Sequence, residues 1–280
     1  MARVRGVATL DRSLDDVDAI EEAFVAQWAH FGQGPGGSVH IEDGLTWIEA
    51  PVRQLPYNGV LRTHLDGDVD AKIDATIERF VQRGVQFLWL VHPTAAPADL
   101  EARLVARGLS LVERGTGMAL DLASWRPAPA SPSPVSYRRV TDDETLRAYE
   151  DLIVAYWELA DYARDYVFAI NRATHAAGVD GERQVAFLDG RPVGKGYLSY
   201  VGQPGTAAIF AIYVDPTARG HGVASGITSA LLTRAAELGF ERVVLHSSEM
   251  AVSLYRRMGF IERCSLPVYA TAPLHSVQPS

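Results

Sequence analysis

The segment A-I-Y-V-D-P-T-A-R-G-H-G-V-A, residues 211–224, determines how the rest of the chain is interpreted. An apolar, β-branched run over 209–214 ends at Asp215, and a basic turn with two glycines follows at 219–222. Apolar residues then recur at three- and four-residue steps from 223 to 238, which is the period of a helix. The order strand, glycine turn, helix start presents free backbone N–H groups and a positive helix end to an anion. The segment therefore predicts a cradle for a diphosphate.

Composition excludes several classes of protein. The 280-residue chain is 48% hydrophobic and 21% charged, which is typical of a globular protein. Its net charge of −8 argues against nucleic acid as the main partner and permits a cationic substrate. Cys264 is the only cysteine, so neither an internal disulfide nor a cysteine metal cluster is possible, and no metal site is predicted. No window approaches ~18 apolar residues, so we expect a cytoplasmic protein that does not enter a membrane.

A proline-rich stretch divides the chain. In W-R-P-A-P-A-S-P-S-P-V-S, residues 125–136, four prolines alternate with alanine and serine, which favours an extended spacer and forbids a helix. The sequence therefore predicts a first domain over 1–125, a linker over 126–135 and a second domain over 136–280.

Both halves end with the same order of elements: helix, glycine, strand, helix, glycine, strand. In the first half these are predicted at 70–83, Gly84, 86–91, 98–107, Gly108 and 109–122; in the second half at 223–238, Gly239, 242–246, 250–258, Gly259 and from 260 onward. Before its cradle the second half reads as a strand at 136–140, helices to about 159 and over 161–177, and a hairpin of strands 184–188 and 193–200. The fold class is therefore α/β (α+β), with two distant copies of one fold.

Two motifs at the right separation resemble those of the GNAT superfamily of acyl-CoA-dependent N-acyltransferases. The first is that family's Arg/Gln-x-x-Gly-x-Gly/Ala turn, which reads R-G-H-G-V-A at 219–224. The second is Asn-x-x-Ala-x-x-Leu-Tyr followed by Gly-Phe, matched by Ser248, Ala251, Leu254, Tyr255, Gly259 and Phe260. The resemblance covers about 137–270. It implies two GNAT-like domains, each a mixed, mostly antiparallel twisted sheet flanked by helices.

The resemblance also implies how acetyl-CoA, as co-substrate, would bind. Its diphosphate would lie on the backbone amides of Arg219, Gly220, His221, Gly222, Val223, Ala224 and Ser225. Its pantetheine arm would pair with the strand end Ile212, Tyr213 and Val214, where a backbone N–H polarises the thioester carbonyl. Ser248 replaces the family's asparagine and reaches less far towards the pantetheine. Tyr255 would be the general acid that protonates the leaving thiolate.

The general base is not where the family often carries it. The strand before the cradle reads A-A-I-F-A at 207–211 and contains no carboxylate. His246 at a strand end, Glu249, or a chain of waters are the remaining candidates, in that order of preference.

The first copy departs further from the family. Its turn contains Asp66, Asp68 and Asp70, which would repel a diphosphate, and Leu104 falls at the place of Tyr255. We interpret it as a degenerate copy that covers an edge of the catalytic domain, shapes the acceptor pocket or forms a homodimer surface.

The leading hypothesis is an N-acetyltransferase that moves an acetyl group from acetyl-CoA to a primary amine of a small molecule or peptide, by direct attack in a ternary complex. Two alternatives stay open: a non-catalytic acyl-CoA-binding or assembly protein, and a nucleotide-dependent enzyme using the same cradle. A Rossmann motif would require a third glycine, which G-H-G at 220–222 lacks. The aromatic and acidic cluster at 156–166 either lines the acceptor site or packs in the core.

Overall fold

The computed structural model describes residues 12–127, 134–177, 181–200 and 202–272. Most of the predicted linker therefore lies outside the described residues. The first half comprises α1 (Arg12–Ala29), β1 (Ser38–Glu42), β2 (Leu45–Glu49), β3 (Gly59–Thr63), α2 (Val69–Gln82), β4 (Leu88–Leu90), α3 (Leu100–Ala106) and β5 (Ser110–Asp121). The second half comprises β6 (Val135–Arg139), α4 (Asp143–Trp157), α5 (Asp161–Ala177), β7 (Gly181–Leu188), β8 (Arg191–Ser199), β9 (Thr206–Val214), α6 (Val223–Glu237), β10 (Arg242–Ser247), α7 (Val252–Arg257) and β11 (Ile261–Ala270).

The strands form one 11-stranded sheet in the order β1-β2-β3-β4-β11-β5-β10-β9-β8-β7-β6. The pairs β3–β4 and β9–β10 run parallel, and the other neighbouring pairs run antiparallel. The predicted fold class, mixed and mostly antiparallel with flanking helices, is confirmed. The repeated order is also present, since α2-β4-α3-β5 in the first half matches α6-β10-α7-β11 in the second.

The two halves exchange their last strands. Strand β5 of the first half lies between β10 and β11 of the second, with Thr116 opposite Ser247 and Gly115 opposite Leu266. Strand β11 in turn lies between β4 and β5, with Val268 opposite Leu90. Each half therefore supplies a strand that its partner's sheet requires, and the two expected sheets are joined into one.

Successive side chains of the central strands point to opposite faces of the sheet, so the core is divided between two layers of helices. Ile209 and Leu245 pack with Ile227 of α6 and Tyr255 of α7 on one face. Their neighbours Ala208 and Val244 pack on the other face, against Ile20 of α1. Helices α4 and α5 cover that second face further along the sheet, over Val185 and Phe187. None of the described helices has the length and apolar composition needed to cross a bilayer.

Two elements of the first half were absent from the sequence prediction. Helix α1 crosses the face of the sheet at the strand exchange, where Ile20 and Phe24 are buried. Strand β1 pairs with β2 at the edge of the sheet. Its sequence S-V-H-I-E alternates over only five residues, and its apolar side chains Val39 and Ile41 are exposed, so the pattern does not mark a buried face. Helix α1 is the more important of the two, because its last turns reach the site described next.

Candidate active site

The cradle is built by two glycines in left-handed conformation. Gly220 has φ +81° and Gly222, the N-cap of α6, has φ +73°. A side chain at either position would be strained by the backbone conformation, which explains why glycine is present. The Gly226 amide donates to the Gly222 carbonyl at 2.9 Å, the start of the helical bonding pattern. The amides of residues 223–225 precede that bond and point out of the helix start, as an anion site requires.

A cavity of about 1400 Å³ opens beside the cradle. Nearly all the residues predicted to bind the co-substrate line it: Ile212, Tyr213, Val214, Arg219, Gly220, Gly222, Val223, Ala224, Ser225 and Ser248. His221 does not, because its ring Nδ1 lies 3.1 Å from the Arg219 carbonyl oxygen and the imidazole is folded onto its own turn. Any contribution from His221 to anion binding would therefore come from its backbone.

Strand β9 is bulged at Ala211. The register of β8 and β9 shifts between the pairs Lys195–Tyr213 and Tyr197–Phe210, and Ala211 has φ +56°. On its other side, β9 follows β10 only as far as the pair Ile209–Leu245. The strand end 212–214 thus leaves β10 and offers its backbone groups to the cavity. An extended ligand could pair there as an added strand.

Lys195 is a residue of this site that the sequence analysis missed. It is 1% exposed, and its Nζ donates to the Ala211 carbonyl oxygen at 3.0 Å. The Nζ also lies 5.5 Å and 5.0 Å from the ring centroids of Tyr149 and Tyr156, within the range of cation–π contacts. Burial lowers the pKa of Lys195 to about 7. The signal in the sequence is a lysine between two glycines, Gly194 and Gly196, in an otherwise apolar strand.

Tyr255 lies on the wall of the same cavity, where α7 presents it to the sheet. It is buried, with its ring 5.7 Å from that of Phe260. Burial, followed by the nearby Tyr156, raises the pKa of Tyr255 above its usual range, while a hydrogen bond with Thr228 acts in the other direction. The hydroxyl therefore holds its proton at neutral pH and can donate it to a strong enough base.

The two candidate bases named from the sequence separate in space. His246 lines the cavity, with its ring edge-on to Phe24 at 4.7 Å. Its Nε2 is buried without a hydrogen-bond partner among the described residues, and burial, followed by His92, lowers the pKa of His246 to about 4. Glu249 is exposed and lines a separate, shallow groove beside Glu262 and Arg263. Of the two, only His246 reaches the cavity.

The side of the cavity away from the cradle is aromatic and is built by both halves. The aromatic side chains lining it include Phe24, Trp28, Phe31, Tyr57, Tyr149, Tyr156, Trp157 and Phe210. The cluster at 156–166 is therefore divided. Tyr156, Trp157 and Glu158 line the cavity, whereas Tyr166 donates to the Phe31 carbonyl at 2.7 Å and Tyr162 accepts from the Arg53 amide at 3.2 Å.

At the corresponding turn of the first half, acidic side chains occupy the start of the helix. Asp68 caps α2 by accepting from the Ala71 amide at 3.2 Å. Asp70, one residue into the helix, pairs with Arg103 and Arg107 of α3, each at 2.7 Å. The positions where a diphosphate would approach the helix start thus carry carboxylates that are already paired.

Comparisons with known proteins agree with this geometry. The acetyltransferase (GNAT) family profile matches residues 143–260. A GCN5-related N-acetyltransferase from Kribbella flavida is 15% identical with a TM-score of 0.63, and the match covers 90% of this chain and 95% of that one. A tandem GNAT protein from the clavulanic acid biosynthesis pathway is 18% identical with a TM-score of 0.61 over 98% of both chains. A GCN5-related N-acetyltransferase from Sphaerobacter thermophilus is 16% identical with a TM-score of 0.61 over 94% of both. No curated protein sequence matches the chain.

The cradle, the bulged strand and the family profile all point to an acyltransferase domain in the second half of the chain. The second half of the chain matches the GNAT family over residues 143–260, as its motifs predicted. Over its whole length it has the fold of a tandem GNAT protein.

Proposed function

We propose that this protein transfers an acetyl group from acetyl-CoA to a primary amine, by direct attack in a ternary complex. One observation carries the proposal. The amides at the start of α6, the free strand end at 212–214 and the hydroxyl of Tyr255 all face the same cavity. Binding of a diphosphate, binding of an extended arm and protonation of a thiolate are thus available side by side.

The chain's residues fit acetyl-CoA. The amides of 223–225 and the guanidinium of Arg219 would hold the diphosphate, because they combine a helix N-terminus with a positive charge. The strand end 212–214 would pair with the amide groups of the pantetheine arm. A backbone N–H of this segment, aimed by the bulge at Ala211, would then stabilise the negative charge that develops on the thioester oxygen.

Tyr255 completes the transfer on the side of the leaving group. When the amine nitrogen attacks the thioester carbon, the carbon–sulfur bond breaks and the sulfur leaves as a thiolate. A buried tyrosine hydroxyl that keeps its proton at neutral pH is a suitable general acid for that thiolate. The aromatic side of the cavity would hold the body of the acceptor amine.

The test combines binding with turnover. We expect acetyl-CoA to bind by calorimetry, and thiol release to depend on an added primary amine. Tyr255→Phe is expected to lower the rate by about 10²-fold, the usual contribution of a general acid, with acetyl-CoA binding unchanged. Tyr200→Phe is the matched control, since Tyr200 packs on Phe240 at 5.6 Å and does not line the cavity.

The same experiment separates the alternatives. Binding of acetyl-CoA with no thiol release on any amine would favour a non-catalytic acyl-CoA-binding protein. Preference for ADP or NAD over CoA would favour a nucleotide-dependent enzyme. Equal rates for Tyr255→Phe and the unmodified protein would remove Tyr255 from the mechanism.

A further inference from the structure

Strand β5, which the first half contributes to the second, brings a carboxylate into the cavity. Strand β10 ends at Ser247, which lies opposite Thr116. Strand β5 continues beyond that point alongside β11, and places Glu113 opposite Val268. Glu113 therefore lies beyond the end of β10, on the side where β9 and β10 have separated. Its side chain lines the same cavity as Tyr255.

Glu113 is a half-buried acid without a cationic partner among the described residues. No lysine, arginine or histidine of the described residues forms a salt bridge with it, and its charge contributes to raising the pKa of Tyr156 in α4. Burial raises the pKa of Glu113. An unpaired carboxylate in an apolar site costs free energy, and that cost is relieved when a ligand supplies the positive charge.

The other groups near the cavity are less suited to accept a proton from an ammonium. His246 is a weak base, with a pKa of about 4. Lys195 is already engaged with Ala211. Glu158 lines the cavity but is exposed at the end of α4. Among the described carboxylates, Glu113 combines a place in the cavity with partial burial and a raised pKa.

The inference that follows rests on the proposed function. We propose that Glu113 binds the acceptor ammonium and is the general base of the transfer. The first half of the chain is then a component of the active site.

The side chains that line the cavity near Glu113 decide the class of acceptor. Phe24, Trp28 and Phe31 form a row with ring centroids 5.5 Å and 5.6 Å apart, and Phe24 continues it to Phe210 at 6.3 Å. The acceptor is a primary amine on an apolar or aromatic body.

Glu113 and Tyr255 together account for every proton of the transfer. The ammonium gives one proton to Glu113, and the neutral nitrogen then attacks the thioester carbon. As the carbon–sulfur bond breaks, Tyr255 protonates the thiolate. The second proton of the nitrogen replaces the one that Tyr255 gave away, and Glu113 releases its proton to water. The products are the amide, the free thiol of CoA and one proton.

The closing experiment compares Glu113→Gln with the unmodified chain on two primary amines that differ in basicity. With an arylalkyl amine that is protonated at the assay pH, we expect kcat/KM to fall by about 10²- to 10³-fold. With a fluorinated ethylamine, already neutral at that pH, the deficit should largely disappear because no base is needed. Acetyl-CoA binding by calorimetry should be unchanged, which shows that the variant is folded. Glu249→Gln, in the separate groove, should match the unmodified chain.

Three results would overturn the inference, and only the last of them also overturns the proposed function. If the unmodified chain acetylates amines and Glu113→Gln does so equally well, Glu113 is not the base, while the proposed function stands. A deficit of the same size on both amines also rules out the base, because proton removal is then not what was lost. If the unmodified chain binds acetyl-CoA but acetylates no amine, the proposed function falls and this inference falls with it.

Discussion

Lys195 donates a hydrogen bond from Nζ to the carbonyl oxygen of Ala211, across 3.0 Å in the interior of the protein. Ala211 has φ +56°, a conformation that is unfavourable for a residue with a side chain. The lysine therefore stabilises the bulge that turns the strand end 212–214 towards the cavity. A buried amine serves here to hold a backbone segment in place.

The first prediction concerns the pH dependence of stability. The pKa of Lys195 is about 7 in the folded chain and its ordinary value is 10.5. Between these values the unfolded chain binds the proton and the folded chain does not, so this residue makes stability rise with pH. Below pH 7 the full cost of burying the charge, on the order of 5 kcal/mol, is present.

Lys195→Met should consequently be stabilising at pH 6 relative to the unmodified chain, by chemical denaturation. The gain should shrink towards pH 10, where loss of the hydrogen bond to Ala211 leaves the variant about 1 kcal/mol less stable. A difference between the two proteins that is constant from pH 6 to pH 10 would contradict this assignment. Lys72→Met is the control, because Lys72 pairs with the exposed Asp66.

The second prediction transfers a feature of the first half to the second. Asp70 and Ala224 are each the second residue of their helices, α2 and α6. Ala224→Asp should weaken acetyl-CoA binding at least tenfold, because a carboxylate then faces the diphosphate. It should leave the melting temperature unchanged or slightly raised, since acidic residues favour a helix N-terminus. Ala224→Asn separates the charge from the volume, and equal losses of affinity in both variants would contradict the electrostatic explanation.

The third prediction concerns the contact between Gly115 and His246. A Cβ atom at Gly115 would lie 1.5 Å from Nε2 of His246, so a side chain there must displace the imidazole. Gly115→Ala should destabilise the protein by about 2 kcal/mol. His246→Ala should remove most of that penalty when the two changes are combined, which gives a coupling above about 1 kcal/mol in a double-mutant cycle. Additive effects would mean that the two residues do not share this space.

The fourth prediction follows from the strand exchange. Residues 1–127 and 134–280, produced together as separate chains, should form a stable one-to-one complex, because β5 pairs with both β10 and β11 of the other half. Each piece alone should fail to give a cooperative unfolding transition. Size exclusion and thermal unfolding of the pieces, singly and mixed, would decide it. Two pieces that fold independently and do not associate would contradict the expectation.

The sequence predicted the parts of the site that depend on local order. The cradle at 219–224 lies between an apolar strand and an amphipathic helix, and each of these is recognisable within a short window. The same holds for Tyr255, whose spacing to Gly259 and Phe260 matches a family motif. The repeated order of helices and strands followed from the glycines that end four of the helices.

The features of the site that the sequence did not predict depend on contacts between segments distant in the chain. Nothing near Glu113 in the sequence indicates that its strand pairs with β10 and β11 of the other half. Lys195 was not identified from the sequence, because a lysine is rarely buried and its burial here depends on packing against α4. Gly115 and Gly117 in β5 were a usable signal, since glycines within a strand often mark a close approach by another group.

The exchange of β5 and β11 also has a consequence for synthesis on the ribosome. The first half emerges while the segment that will separate β4 from β5, Ile261–Ala270, has not yet been translated. Until then both strands keep unpaired edges, which are the surfaces through which nascent chains aggregate and to which chaperones bind. The two halves cannot mature one after the other as they leave the exit tunnel. Completion of the first half's sheet and assembly of the cavity beside the cradle thus both require translation of β11.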